Sequence, residues 1–271
     1  MTAKSAARSG DFENEPGAAE RFQRLPAEAQ ARYVEHASGM TTFARDHAVP
    51  ILIAPPVSVG GKINGGTGFV LTLYADCFVV TASHVLQKYE ERLEKREVLN
   101  WQVGKLPPFD PLSRIAGRNP KKDIVVLSVS PDEERGIGPC LRSSPVVWPP
   151  VVPRIGQFVL VAGFPGGLRE VDPAGWIGAG PYSALFRVTN VGTGYCKCRI
   201  EPDDLVSFCE RPVPPPGTDI GGVSGGPVFL VGPGYPLVGV ITQHCYMEST
   251  GLELLEFATF DSVHIESPRK R

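Results

Sequence analysis

The chain has 271 residues and a formal net charge of −2, with 27 Lys and Arg set against 29 Asp and Glu. That balance gives no general attraction to polyanions, so nucleic acid is not an expected partner. No apolar run reaches the ~18 residues of a membrane span, so no membrane is expected either.

The sequence contains 30 Gly and 27 Pro, which divide it into short apolar runs. Such a text favours an all-β chain with many turns. Residues 1–17 are polar and rich in Ser, Ala and Gly, and are expected to be disordered. Phe22, Ala29, Tyr33 and Val34 then recur at helical spacing, which predicts a helix or two over 18–37, broken near Pro26. Pro50 to Ala54 reads as a first strand, and Gly65 to Gly68 as a turn. Beyond it Phe69, Leu71 and Leu73 share one face of a strand. A turn at Ala75 and Asp76 makes a hairpin with Cys77 to Thr81, which runs into Ala82, Ser83 and His84. Gln87 to Val98 is charged at helical spacing, as a surface helix or extended loop would be.

Residues 99–120 look irregular. Asp123 stands just before the apolar run Ile124 to Val129, which reads as a buried strand. The proline-rich stretch 143–153 cannot be a central strand and is expected as a linker. Strands follow at Phe158 to Gly163, Ala184 to Val188, Tyr195 to Ile200 and Pro236 to Gln243.

The chemistry concentrates in Gly221 to Pro227, where Ser224 sits in a run of glycines before the strand-like Val228 to Val231. Glycines permit unusual backbone angles and close approach, so the Ser224 hydroxyl can face outward. The N–H groups of Gly222 and Ser224 can then converge on one point, as an oxyanion hole requires. Serine alone is a weak nucleophile and needs a histidine base and an orienting carboxylate. His84 and Asp123 are the candidates. Asp110 is a rival, but it lies between Phe109 and Pro111 with no buried strand after it.

Three blocks, Thr81–Val85, Asp123–Leu127 and Gly222–Pro227, together resemble the signature blocks of trypsin-like (chymotrypsin-fold) serine peptidases, in the order His, Asp, Ser. The resemblance implies two antiparallel β-barrels, over 46–142 and 155–265, joined by a linker at 143–154. An extension at 1–45 and a polar tail at 266–271 flank them. It carries over His84 as general base, Asp123 as its orienting group, Ser224 as nucleophile, and the Gly222 and Ser224 N–H groups as oxyanion hole. It implies a specificity pocket at Thr218 and Asp219, with Thr242, Gln243 and His244 as one wall. Asp219 would select a basic side chain and His244 an acidic one, so specificity stays open.

Departures from the family are informative. Val85 stands where secreted members often carry cysteine. Val223 stands where many carry the aspartate that pairs with a newly cut N-terminus. The pattern therefore resembles intracellular bacterial members, with no activation by N-terminal cleavage. Met1 to Gly17 has no apolar export segment, so the six cysteines are expected as reduced thiols in a cytoplasmic protein. Cys196 and Cys198 share a strand face, but their spacing is not a zinc pattern, and neither metal nor cofactor is expected. The glycine-flanked serine also fits the elbow of α/β-hydrolases. That fold needs Asp and His after the serine and repeated β-α units, which the text lacks. The expected function is serine endopeptidase acting on a protein or peptide, with residues 1–45 as a handle for a regulatory protein partner. The alternative is an idle barrel that binds peptides or a partner.

Overall fold

The computed structural model describes residues 18–73, 75–138, 141–142, 150–171, 177–200, 220–247 and 252–260. The disorder expected over 1–17 and most of the proline-rich stretch lie outside them. Two helices open the described chain, the short α1 (Ala18–Gln23) and the 20-residue α2 (Ala27–Asp46), with Pro26 between them.

The first half is an antiparallel sheet built from β1 (Val49–Ala54), β2 (Asn64–Leu73), β3 (Asp76–Ala82), β4 (Asn100–Val103), β5 (Ile115–Asn119) and β6 (Ile124–Val129). Their order is β4-β1-β2-β3-β6-β5, and a short β7 (Leu141–Arg142) pairs in parallel with β2. Two helices interrupt it, α3 (Ser83–Glu94) and α4 (Pro131–Ile137). Ser130 and Glu133 form a capping box at the start of α4.

The second half contains β8 (Phe158–Gly163), β11 (Tyr182–Gly192), β12 (Tyr195–Ile200), β13 (Pro227–Leu230), β14 (Leu237–Met247) and β15 (Leu252–Thr259). These close into an antiparallel barrel in the order β11-β12-β15-β14-β13-β8. A small hairpin, β9 (Arg169–Val171) with β10 (Ile177–Ala179), lies outside the barrel. The chain is thus all-β in architecture, with one closed barrel and one antiparallel sheet. That first sheet curls: Trp101 and Val103 of β4 and Leu127 of β6, far apart in strand order, share one core with Val49 and Ile51.

Three apolar clusters hold the molecule together. One fills the first sheet and includes Val85, Leu86 and Tyr89 of α3. One fills the barrel, with Phe186, Val188, Cys196, Cys198 and Phe257. The third lies between the halves and joins Phe69, Leu71, Phe78 and Val80 to Leu160, Ala162, Phe229 and Val240. The face shared by Phe69, Leu71 and Leu73 is therefore the face turned to the barrel.

Three expectations are corrected by the structure. Residues 99–120, expected to be irregular, contain β4 and β5, which form by pairing with β1 and β6. Gly65 to Gly68 is not a turn but part of β2. Its glycines are there for close approach: a Cβ on Gly66 would lie 2.6 Å from a methyl of Val85 and 3.2 Å from the Ser224 carbonyl oxygen. The buried stripe of α2 is also not the one the apolar periodicity picked out. Tyr33 and Val34 are exposed, whereas Ala37, Met40 and Ala44 enter the core between the halves. Small residues let the helix axis come close, and Phe43 then reaches the Phe229 ring at 5.1 Å and the Tyr235 ring at 5.0 Å.

Since α2 is part of that core, truncating its aromatic anchor should be felt throughout. Phe43→Ala is expected to cost about 2–3 kcal/mol, below the full value for a wholly buried ring because Phe43 is half-buried. Thermal denaturation followed by circular dichroism should show a Tm lower by roughly 5–10 °C. An unchanged Tm would mean that α2 is not docked as described.

Candidate active site

The chain leaves β3 at Ala82 and turns directly into α3, so His84 is the second residue of a helix. No side chain of its own turn caps that helix, and its first N–H groups lack intrahelical acceptors. Asp123, between β5 and β6, supplies them. Its backbone carbonyl accepts the Ser83 N–H at 2.9 Å. Its Oδ1 accepts the His84 N–H at 2.8 Å, and its Oδ2 accepts from His84 Nδ1 at 2.6 Å. A carboxylate is favoured at a helix N-terminus, where the backbone dipoles present positive charge. Asp123 holds a φ of 55°, a left-handed conformation that Asp tolerates better than most residues.

With Nδ1–H donated to the carboxylate, the free lone pair of the neutral imidazole lies on Nε2. The His84 and Asp123 side chains are 31% and 28% exposed, so the pair is fixed yet open to a ligand. Arg118 fastens the same helix to β5, donating from Nε to the Ser83 hydroxyl at 3.0 Å and pairing with Glu90. The rival Asp110 is occupied in its own turn, accepting the Leu112 N–H at 3.0 Å.

Ser224 lies on the loop between Ile220 and β13, and that loop is clamped from both sides. On the barrel side, Gly225 N–H donates to the Ile241 carbonyl at 2.7 Å, and Ile241 N–H donates to the Gly226 carbonyl at 2.9 Å. These bonds tie the loop to β14 at Ile241, the residue before Thr242. On the sheet side, Thr67 N–H donates to the Ser224 carbonyl at 2.9 Å. The Thr67 hydroxyl donates to the Gly222 carbonyl at 2.7 Å and accepts the Phe164 N–H at 2.8 Å. Thr81 Oγ1 in turn donates to the Thr67 carbonyl at 2.6 Å.

Gly225, at φ 90°, lies so close to the Thr67 carbonyl and Thr81 Oγ1 that no side chain fits there. Under the loop, Val223 is buried in the barrel core. With these contacts made, the N–H groups of Gly222 and Ser224 have no protein acceptor among the described residues.

The structure thus brings His84 and Asp123 into direct contact and sets the Ser224 loop against the strand that flanks them. Among the described residues no hydrogen bond joins the Ser224 hydroxyl to His84. Thr218 and Asp219 lie outside the described residues. Thr242 is half-buried and donates to the Glu256 carbonyl at 3.3 Å, Gln243 is exposed, and His244 is half-buried on β14. Cys196 and Cys198 point into the barrel core, where burial and the neighbouring thiol push Cys198 up to about 12. Both thiols serve as small apolar packing groups of that core.

Two residues near the site escaped the sequence reading. Thr67 looked like one polar residue in a glycine turn. Arg169, at the start of β9, follows Gly166 and Gly167 and carries no motif.

No family model matches the chain, and no curated protein matches it. Among solved structures it is similar to the active form of the Rv3671c protease from M. tuberculosis, at 16% identity and a TM-score of 0.43, over 99% of this chain and 96% of that one. No helix among the described residues is long and apolar enough to cross a membrane.

Thr67→Val keeps the β-branched shape and removes only the hydroxyl. It leaves the Gly222 carbonyl and the Phe164 N–H without a partner, at a cost of about 2–4 kcal/mol for the two. The expected result is a folded protein with a lower urea midpoint and faster proteolysis at the Ser224 loop. An unchanged midpoint would show that the hydroxyl is not the clamp.

Proposed function

We propose that the protein is a serine endopeptidase of the trypsin-like kind, cleaving peptide bonds through an acyl-enzyme on Ser224. One observation supports this above the others. The His84–Asp123 pair is closed at 2.6 Å, and the Ser224 loop is bonded to β2, with the Gly222 and Ser224 N–H groups unused among the described residues.

In the proposed reaction a peptide lies along β14 with its scissile carbonyl carbon against Ser224 Oγ. His84 Nε2 takes the hydroxyl proton as Oγ attacks. Asp123 keeps the ring in the required tautomer and stabilises the imidazolium that forms. The Gly222 and Ser224 N–H groups receive the developing oxyanion. His84 then gives its proton to the leaving amine. Water, deprotonated by the same imidazole, releases the acyl group and restores Ser224.

Val223 supports an enzyme that needs no new N-terminus. An apolar residue buried in the barrel core sets the loop, where an aspartate would need a positive partner. A second reading, an idle peptide-binding barrel, draws on the absence of a hydrogen bond between Ser224 and His84 among the described residues. Catalytic hydrogen bonds often tighten only when substrate excludes water, so the peptidase reading is preferred.

A fluorophosphonate probe is expected to label the wild-type protein at Ser224 and to leave Ser224→Ala unlabelled. Asp123→Asn should slow labelling by on the order of 10⁴-fold, because the amide favours the wrong imidazole tautomer. Absence of labelling in folded wild-type protein would discard the peptidase in favour of the binding barrel.

A further inference from the structure

A cavity of about 440 Å³ opens beside the Ser224 loop. Gly222 forms part of its wall, with Gly65 of β2, Lys62 just before that strand, Lys88 of α3 and Arg169 of β9. Among the described residues this wall carries three cations and no carboxylate. Lys88 follows His84 by four positions, on the same face of α3.

Arg169 is the unusual member. Its Nε is buried without an acceptor, and among the described residues its guanidinium forms no hydrogen bond and no ion pair. Its Nη2 reaches between the two walls: a Cβ on Gly65 would lie 2.9 Å from it and one on Gly222 would lie 3.1 Å away. Burial draws its ionisation down from the ordinary value, yet arginine stays charged in proteins.

Three arginines of the first half are paired, Arg92 with Glu97, Arg114 with Glu133 and Arg118 with Glu90. Arg169 is half-buried, and a partly desolvated cation with no counter-charge among the described residues is disfavoured. A ligand that brings the missing anion removes that cost.

The position of the cavity says which part of a substrate would enter it. β14 is bonded to one flank of the Ser224 loop through Ile241, and on the proposed reading the acyl portion of a peptide runs along it. The cavity contains no residue of β14 and lies at Gly221 and Gly222 with α3 and β2. A peptide crossing Ser224 therefore reaches the cavity with the residues on the amine side of the cut.

We infer that the cavity is a subsite for an Asp or Glu side chain, within about three residues of the scissile bond on its leaving-group side, held by Arg169 with Lys62 and Lys88. The protein's substrates are thus peptides that are acidic just beyond the cleavage point. The assignment to the leaving-group side rests on the peptidase proposal, whereas the carboxylate preference rests on the cavity alone. The guanidinium fork suits a carboxylate in two-point contact, and the two ammonium groups add attraction without fixing geometry.

Two measurements on the full chain keep these apart. In the first, Ser224→Ala protein is titrated with fluorescein-labelled alanine-rich octapeptides that carry two adjacent Glu or two adjacent Gln, and anisotropy is read at low salt. The Glu peptide should bind about tenfold tighter or better. The difference should vanish when Arg169→Gln is added, and should shrink several-fold with Lys88→Glu, an exposed position on α3 that does not threaten folding. Equal affinity for the two peptides overturns the inference whatever the fluorophosphonate probe does.

In the second, wild-type protein digests a proteome-derived peptide library and the new N-termini are sequenced. Asp and Glu should be enriched at their first three positions. The ratio of kcat/KM between matched Glu and Gln substrates should fall from about ten to near one in Arg169→Gln. Enrichment of neutral or basic residues there overturns the subsite. Glu over Gln discrimination in binding, with no labelling of Ser224, supports the anion site and overturns the peptidase reading instead.

Discussion

The site hangs on one buried hydroxyl. Thr67 is fully buried and belongs to the first sheet, yet it bonds the Gly222 carbonyl 155 residues away and the Phe164 N–H 97 residues away. Its backbone N–H takes the Ser224 carbonyl, and its own carbonyl is held by Thr81, three residues before His84. One residue therefore fixes the distance between the strand that leads to the imidazole and the loop that carries the serine. Apolar packing between the halves could not do this alone, because it is nondirectional and tolerates sliding. A hydroxyl that both donates and accepts, at a place with no water to compete, sets a register.

The same economy appears at the other end of the site. Asp123 is at once the cap of α3 and the partner of His84. The helix start needs an acceptor and the imidazole needs an orienting group, and a single carboxylate meets both needs with its two oxygens. A positional error in the β5–β6 turn would then loosen the helix and misdirect the ring together. That coupling explains how a residue with a positive φ is kept there: four elements, β5, β6, α3 and β3, converge on it. The shared core behind them, to which α2 contributes Ala37, Met40 and Ala44, backs this platform with close-packed side chains.

How far the sequence disclosed this depends on the range of each cause. Ser224 among its glycines, His84 at the end of an apolar strand and Asp123 at the start of another were legible, because each is marked by its immediate neighbours. The barrel strands β8, β12 and β14 were legible as apolar runs. The short β4 and β5 were not, since a segment rich in Pro and Gly gives no alternation to read, and both strands take their place by pairing with distant neighbours. The docking stripe of α2 was misread because alanines carry little hydrophobic signal, while the louder Tyr33 and Val34 face outward. Thr67 and Arg169 could not be found locally at all. The importance of the first lies in contacts made across the whole chain. The importance of the second lies in a contact that the described residues leave unmade.

That unmade contact bears on the energetics of the proposed reaction. The Arg169 guanidinium is close to Gly222, and so close to where negative charge would develop on the substrate oxygen. Fixed positive charge in a partly desolvated cleft stabilises such an oxyanion, and a carboxylate sitting on the guanidinium would cancel part of that field. The conflict resolves in time if the carboxylate belongs to the leaving peptide. During acylation it supplies binding energy and alignment, which offset the weaker field. Once the bond is cut it departs with the amine product, and the cations face the acyl-enzyme uncompensated while water attacks. Had the acidic group been placed on the acyl side, it would have stayed through both steps and opposed the oxyanion twice. The position of the cations next to Gly222, and away from Thr242 to His244, is therefore the arrangement in which substrate recognition and transition-state stabilisation interfere least.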